Sequence, residues 1–509
     1  MEAYDIRQAE WDEFSAAREQ FAKMIGGLSR GKLLKAEHGE VEQWLFSEGF
    51  ELLRLSLQGH LDLRARQEQP RAALTGADGV TRTHRRTSCT RPLESLFGEV
   101  TVPRMGYSYP GAPSLFPLDA ELNLPPGKYS HGLQRVLSDE AAKGSFEEAT
   151  ETLRKMTGGA VPKRQAEELA PAIAADFDAF YATRNLGQPE ETNGILQMST
   201  DGKGVVMREE ALRECTRLAA ERARAEGKRG ARLTPGEKPN RKRMSTVAAV
   251  YSVAPNVRTP EDILDVLRAD SDQPRPARPR PENKRAWASL KKDPDEVIAE
   301  MFAEAERRDP AHLRPWALVV DGAEHQLRLI KAEAQRHSVE LTIVADFIHG
   351  LEYVWKAAHG FFPVGSDEAE DWVAKTALEL LRGNAGPIAG GMRRKATLHK
   401  IKGSKRKAIN KCAGYLLKHK DHMRYDEYLA AGLPIASGVI EGACRYLVKD
   451  RMEITGARWG LDDAEAVLKL RALRSSGDLE EYWRFHQVEE HKRHHRSRCY
   501  CYPRLEAVS

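Results

Sequence analysis

A mixed α/β fold, five strands with helices between the later ones, is the class this sequence predicts, and two observations predict it. Short apolar runs that stop at a carboxylate alternate with helical stretches: Trp316-Ala317-Leu318-Val319-Val320 before Asp321, and Leu341-Thr342-Ile343-Val344-Ala345 before Asp346. Upstream, three strand-like runs follow with no convincing helix between the first two: Ile195–Thr200 ending at Asp201, Val205–Met207, and Thr246–Tyr251. Strands in direct succession pair antiparallel, whereas a helix between strands gives a parallel crossover.

Taken in order, residues up to about 70 read as helical, with Val41, Trp44, Leu45, Leu52, Leu53 and Leu57 at helical spacing. Thr87–Arg91 and Gly98–Arg104 alternate about a Phe97-Gly98 turn, as in a small hairpin. Ser145-Phe146-Glu147-Glu148 opens like a capped helix. After Gly158-Gly159, Pro162 stands near the first turn of another helix that begins with Lys163, Arg164 and Gln165. Helix, glycine turn and basic helix is the outline of a helix-turn-helix; two ordinary packed helices give the same pattern. The core starts near Gly194, where Asp201-Gly202-Lys203-Gly204 reads as a turn between two strands. Arg268–Lys284, rich in Pro, Arg and Asp, reads as a loop. Helix 293–308, strand 316–320, helix 324–337, strand 341–345 and helix 347–359 follow. Three antiparallel strands, then helix, strand, helix, strand, helix, is the order of an RNase H-like sheet. A helical, basic stretch from about 364 to 432 interrupts it before a further helix start at Ala436–Gly442.

Composition sets limits. The 509 residues suffice for two to four domains, and 41% hydrophobic with 30% charged residues fits a soluble globular chain. The net charge is only +4, yet Lys and Arg cluster at 208–243, 284–292, 393–411 and 491–504. Clustered cations in a near-neutral chain point to a polyanion met along defined surfaces. No signal peptide is read at Met1-Glu2-Ala3-Tyr4-Asp5, and no apolar run approaches the roughly 20 residues of a membrane span. The six cysteines are scattered, apart from Cys499 and Cys501, so neither a disulfide framework nor a zinc ribbon is expected, and a reducing cytoplasm is the expected location. His491, His494 and His495 beside Cys499 and Cys501 lack the usual zinc spacing and read as a basic solvated tail.

The chemistry lies in the acids. One Asp at a strand end says little, because Asp is common in turns and caps. As a set they are more specific: the first and fourth strands of this topology are neighbours, so Asp201 and Asp321 adjoin, and Glu441 on the later helix can cross the same end of the sheet. Clustered carboxylates raise one another's proton affinity unless a cation lies among them. Three such groups can hold two divalent ions about 4 Å apart, the arrangement that cuts and joins phosphodiesters. Oxygen-only ligands suit magnesium, with manganese able to replace it. Asp346 and His349, three residues apart, either orient a metal ligand or touch the leaving group, or else form a helix cap with the ring packed behind it. Arg445 and Lys449 follow Glu441 at four-residue steps, and with Arg451, Lys163 and Arg164 they are the expected DNA phosphate contacts.

Several blocks together resemble the DDE transposases of bacterial insertion sequences, of the ISKra type. They are Ser199–Gly204, Val319–Ala323, Ala345–His349 and Ser437–Gly442, with Arg451-Met452, Gly456–Trp459, Gly236–Met244 and Pro117-Leu118-Asp119 around them. The resemblance spans about 85–475. It implies an RNase H-like catalytic domain with Asp201, Asp321 and Glu441 as metal-binding triad, an Asp-x-x-His element at Asp346 and His349, and an N-terminal region that recognises terminal inverted repeats. The expected organisation is a helical region at 1–80 and a β element with helix-turn-helix-like DNA-binding segment at 81–190. The first part of the catalytic core follows at 191–363, a helical basic insertion at 364–432, the Glu-bearing part of the core at 433–477, and a basic tail at 478–509. The expected function is a Mg2+-dependent DNA transposase, cytoplasmic and nucleoid-associated. It acts as a dimer or higher oligomer on its inverted repeats and target DNA, without a membrane partner. The alternatives are an RNase H-like nuclease or resolvase without strand transfer, and a catalytically silent DNA-binding regulator.

Overall fold

Residues 12–184, 190, 194–225, 241–268, 277–454 and 456–500 are described by the computed structural model. The chain divides into two units, Met1–Thr183 with Gly477–Ser509, and Arg184–Ser476.

The first unit opens with α1 (Ser15–Ser29) and the 30-residue α2 (His38–Gln67). A short ladder of β1 (Leu74–Thr75) and β2 (Thr81–Arg82) precedes a three-stranded sheet of β3 (His84–Ser95), β4 (Gly98–Tyr109) and β5 (Ala112–Leu115), in the order β3-β4-β5. β3 and β4 pair antiparallel from Ser95↔Gly98 out to His84↔Ser108. Alternation places Val100 and Val102 inward with Leu93, and α2 covers them through Leu61. Then come α3 (Pro117–Glu121), α4 (His131–Lys143), α5 (Phe146–Met156), α6 (Lys163–Ile173) and α7 (Phe177–Thr183). The α5 start is a capping box: the Ser145 hydroxyl accepts from Glu148 N at 3.1 Å, and the Glu148 carboxylate accepts from Ser145 N at 2.8 Å. Ser145→Ala should cost about 1 kcal/mol of stability, read as a lower urea midpoint with unchanged slope. The glycine turn between α5 and α6 has a packing reason, since a Cβ on Gly159 would lie 2.2 Å from the Ser95 carbonyl oxygen.

The C-terminal segment corrects the expected solvated tail. Its helix Leu479–His491 runs into a π-helical turn, Lys492–Arg496, and Tyr482, Trp483, His486, His491 and His495 are buried. The Tyr181 hydroxyl donates to Asp478 at 2.7 Å, so this segment completes the first unit. Cys89, Cys215, Cys412 and Cys444 are free thiols, whereas Cys499 is disulfide-bonded, a departure from the sequence expectation; Cys501 lies outside the described residues.

The second unit is built on β6 (Ile195–Val206), α8 (Glu214–Ala225), β7 (Lys242–Val253), α9 (Pro260–Arg268), β8 (Glu282–Ser289), α10 (Pro294–Arg308), β9 (Trp316–Val320), α11 (Glu324–Arg336), β10 (Leu341–Ala345) and α12 (Phe347–Phe361). The mixed sheet has the order β10-β9-β6-β7-β8, with β6, β7 and β8 antiparallel and β6, β9 and β10 parallel. Three antiparallel strands followed by two parallel ones is the predicted count, but two memberships differ. β6 is one continuous strand through Asp201-Gly202-Lys203-Gly204, paired with β7 from Ile195↔Val253 to Val206↔Lys242, so no turn forms at Gly202. The third antiparallel strand is β8, whose first residues lie in the expected loop; of that loop, 269–276 lie outside the described residues.

β9 is buried along its whole length, as a parallel strand covered on both faces must be. On one face α10 contributes Val297, Ile298, Met301 and Phe302. On the other, Ala317, Val319 and Val344 merge with buried residues of α12, α13 (Asp367–Leu381), α14 (Ala385–Leu398), α15 (Gly403–His419) and α16 (Tyr425–Ala430) into one apolar cluster. The expected insertion is thus helical, and its core is continuous with that of the sheet.

Candidate active site

Strand register brings the acids together. β6 and β9 run parallel with Ser199 opposite Val319, so Asp201 and Asp321 each stand two residues further along adjacent strands. β9 and β10 pair to Val320↔Ala345, which sets Asp346 next to Asp321. Three aspartates therefore occupy one level of three neighbouring strands, at the ends of β9 and β10 and partway along β6. Asp346 N donates to Val320 O at 2.7 Å, which fixes that level.

Glu441 arrives on α17 (Gly438–Ala443), which packs against β6 and β7 and continues through a π-helical turn, Cys444–Lys449, into α18 (Asp450–Met452). Two contacts dock it. Ser437 N, just before α17, donates to Asp346 Oδ2 at 2.7 Å, and the Cys444 thiol donates to Asp201 Oδ2 at 3.4 Å. Partial desolvation, then the negative charges of Asp346 and Asp201, raise the Glu441 pKa above its ordinary value, against a lowering hydrogen bond from Ser437. The same surroundings push the Cys444 thiol far up, so it stays protonated and can donate.

The carboxylates do not close into a tight trio. Asp201, Asp321 and Glu441 are not a set whose ligand oxygens all lie within 4.8 Å of one another. Each takes local donors instead, because adjacent like charges repel. Asp201 Oδ1 accepts from Gly202 N at 2.6 Å, Asp321 Oδ1 from Ala323 N at 3.1 Å, and Glu441 from the Ser437 hydroxyl at 3.5 Å. Asp346 is buried, with Oδ1 accepting from His349 N at 2.9 Å and Oδ2 from Ser437 N. It caps α12 and fastens the start of α17, with both oxygens committed to main-chain donors. The His349 ring stands edge-on to Tyr353 and Tyr415.

The site draws on residues that sequence reasoning did not single out. Tyr415, on α15, donates its hydroxyl to the Asp321 carbonyl at 3.1 Å and stacks on Tyr353 with ring centroids 4.3 Å apart. One turn on, the His419 ring lies where a Gly322 side chain would be, 2.9 Å from an added Cβ, and Gly322 has φ +90°. Lys418 pairs with Glu324 at 2.6 Å. The loop that carries Asp321 is thus held from the inserted helices; the i, i+4 spacing of Tyr415 and His419 is the one sequence trace of this, and it names no partner. Gly322→Ala should cost about 1–2 kcal/mol through the left-handed backbone alone, measured by urea denaturation. No loss would mean that the backbone relaxes and the ring yields.

The expected DNA contacts divide. Lys163 and Arg164 open α6, are exposed, and pair loosely with Glu147 at 3.6 Å and Glu168 at 3.1 Å. Arg445 and Lys449 are exposed like Glu441, and Arg445 stands 3.7 Å from Asp450. Arg451 is buried with its guanidinium 4.8 Å over the Trp459 ring, so it braces the core and does not face a phosphate.

Among the described residues, the one group of His, Cys, Asp and Glu with ligand atoms all within 4.8 Å is Asp176, His486 and Glu490, in the first unit. His486 Nδ1 lies 2.7 Å from Asp176, and Arg493 pairs with both acids, so these charges are balanced within the cluster. No described helix is long and apolar enough to cross a membrane.

No family model matches the chain, and no curated protein matches it. Among solved structures, a chain of the Drosophila P element transposase strand transfer complex is similar at 9% identity, over 69% of this chain and 80% of that one, with a TM-score of 0.25.

Proposed function

We propose that the second unit is an RNase H-like catalytic domain and that the protein is the DDE-type DNA transposase of a bacterial insertion sequence. The observation that carries this reading is the strand register, which sets Asp201 beside Asp321 while α17 delivers Glu441 close enough for its proton affinity to respond to Asp201 and Asp346. The donor set fits a hard divalent cation. All three groups are carboxylates, and the repulsion felt at Glu441 is what such an ion would relieve. Asp201, Asp321 and Glu441 would hold Mg2+, or Mn2+ in its place, and the ions supply Lewis acidity for cutting and joining phosphodiesters.

The chain's own residues do the rest. Asp346 sets the spacing between β10 and α17, Cys444 holds one oxygen of Asp201, and Tyr415 fixes the main chain at Asp321. Arg445 and Lys449, exposed beside Glu441, neutralise backbone phosphates. In the first unit, α5 and α6 form the arm that recognises terminal inverted repeats, with Lys163 and Arg164 on phosphates. Joined transfer needs two ends held at once, so the active form is a dimer or larger on DNA, in a bacterial cytoplasm.

The test uses full-length protein with DNA carrying the sequences that flank its gene. Mg2+-dependent release of 3′-OH ends and their joining to a target plasmid is expected, and light scattering with end DNA should report at least two chains. Cleavage without joining would replace the reading by a nuclease. Binding with neither step in Mg2+ or Mn2+ would overturn it.

A further inference from the structure

The first unit contains a cavity of about 200 Å³ that the catalytic reading does not use. Its polar wall carries Arg91 from β3, Arg104 from β4, and His494, His495 and Arg498 from the C-terminal segment, against one acid, Asp119. Arg104 is the unusual member. It is only 9% exposed, yet its Nε and Nη1 are buried and make no hydrogen bond. Its guanidinium lies 4.2 Å over the Phe116 ring, which fixes the plane of the fork. Nη1 is 3.1 Å from Asp119 Oδ1, in ion-pair range but without hydrogen-bond geometry. Leaving a buried charged donor unsatisfied is costly, so such groups ordinarily face a partner.

The other wall groups are largely committed. Arg91 Nη2 donates to Pro125 O at 2.9 Å and Gly127 O at 2.6 Å, with Asp119 3.6 Å away. His495 Nε2 donates to Leu124 O at 2.9 Å, and burial lowers its pKa to about 4, so it is neutral at physiological pH. His494 stands 3.4 Å from Glu490. Arg498 is exposed at the cavity. Glu68 lies near enough to influence Arg104 but does not line the cavity, and burial pushes both Glu68 and Asp119 toward their neutral forms. Three guanidinium groups around one carboxylate leave an excess of positive charge along this wall.

We propose that this cavity binds a phosphate group, with Arg104 as its buried anchor and Arg498 closing over the oxyanion. A planar guanidinium with unspent donors matches the tetrahedral oxygens of phosphate, and the bond is charge-assisted. The group is either a backbone phosphate of DNA or a free phosphate ion. The site lies in the first unit, the carboxylates lie in the second, and it does not depend on their chemistry.

The test titrates full-length protein with inorganic phosphate and, separately, with short duplex DNA, following heat by calorimetry. Wild type, Arg498→Ala and Arg104→Lys are compared at fixed ionic strength, so that non-specific salt effects cancel between variants. Arg498 is exposed, so its variant should fold. Wild type should bind phosphate, and Arg498→Ala should bind it about tenfold more weakly or worse; Arg104→Lys, with its charge kept and its fork lost, should weaken it likewise. Competition of phosphate with duplex, lost in Arg498→Ala, would support the site and assign it to the DNA backbone. Phosphate binding with no effect on duplex would support it and assign it to the free ion. No phosphate heat in wild type, or equal affinity in wild type and Arg498→Ala, would overturn the proposal.

Discussion

On the proposed function, Asp201→Asn, Asp321→Asn and Glu441→Gln should each lower DNA cleavage by about a thousandfold or more while leaving end binding intact. Bound divalent ions contribute several kcal/mol of charge stabilisation, and about 1.4 kcal/mol is a factor of ten. Each variant keeps the shape of the side chain and removes one anionic ligand. Gel shifts with end DNA should be unchanged, because the cations assigned to phosphates are not altered. Glu441→Gln adds a check on sign. Its carboxylate has a raised pKa, so the folded state disfavours the charged form, and the contribution to stability is lost as pH rises through that raised value. A neutral amide removes the penalty, and the variant should melt no lower than wild type at neutral pH. Substantial cleavage by any of the three would remove that residue from the site. A lower melting point for Glu441→Gln would mark it as structural.

Glu304→Ala should destabilise the second unit by about 3–5 kcal/mol, because it removes the carboxylate that two buried cations share. Glu304 on α10 is buried, with Oε2 accepting from Arg285 at 2.6 Å and Arg307 at 2.7 Å, and Oε1 from Arg308 at 2.9 and 2.7 Å. Burial alone would raise its pKa, but the charges of Arg285 and Arg308 and the Arg307 hydrogen bond hold it far below the usual carboxylate range. A depressed pKa means stability that is present above about pH 4.5 and lost as pH falls below it. Glu304→Gln should therefore unfold at lower urea than wild type at pH 7, and the gap should narrow in acid. Equal midpoints at pH 7 would show that the cluster contributes nothing net.

The same cluster explains where sequence reading failed. β8 starts Glu282-Asn283-Lys284-Arg285, after a run rich in Pro and Arg, and reads as loop until Glu304 is seen to neutralise Arg285 inside the fold. Gly202 and Gly204 are turn residues by local preference and so suggest a break in β6, whereas unbroken pairing with β7 carries the chain straight through them. By contrast β9 and β10 were legible as apolar runs between helices, since strands buried on both faces need no alternation. Their terminal acids were legible for the same reason. The contacts that fix the site acids were not: Cys444 meets Asp201 across 243 residues of chain and Tyr415 meets the Asp321 carbonyl across 94, and only packing identifies them.

The fusion of the α13–α16 segment with the sheet core has a genetic consequence. An in-frame deletion between residues 364 and 432 looks harmless on paper, since both ends lie outside the sheet. It would strip cover from Ala317, Val319 and Val344 and release the chain around Asp321. Such a truncated copy would be lost to proteolysis instead of persisting as a stable, inactive protein, and hydrogen exchange in the intact protein should find α15 and β9 opening together, as one cooperative block.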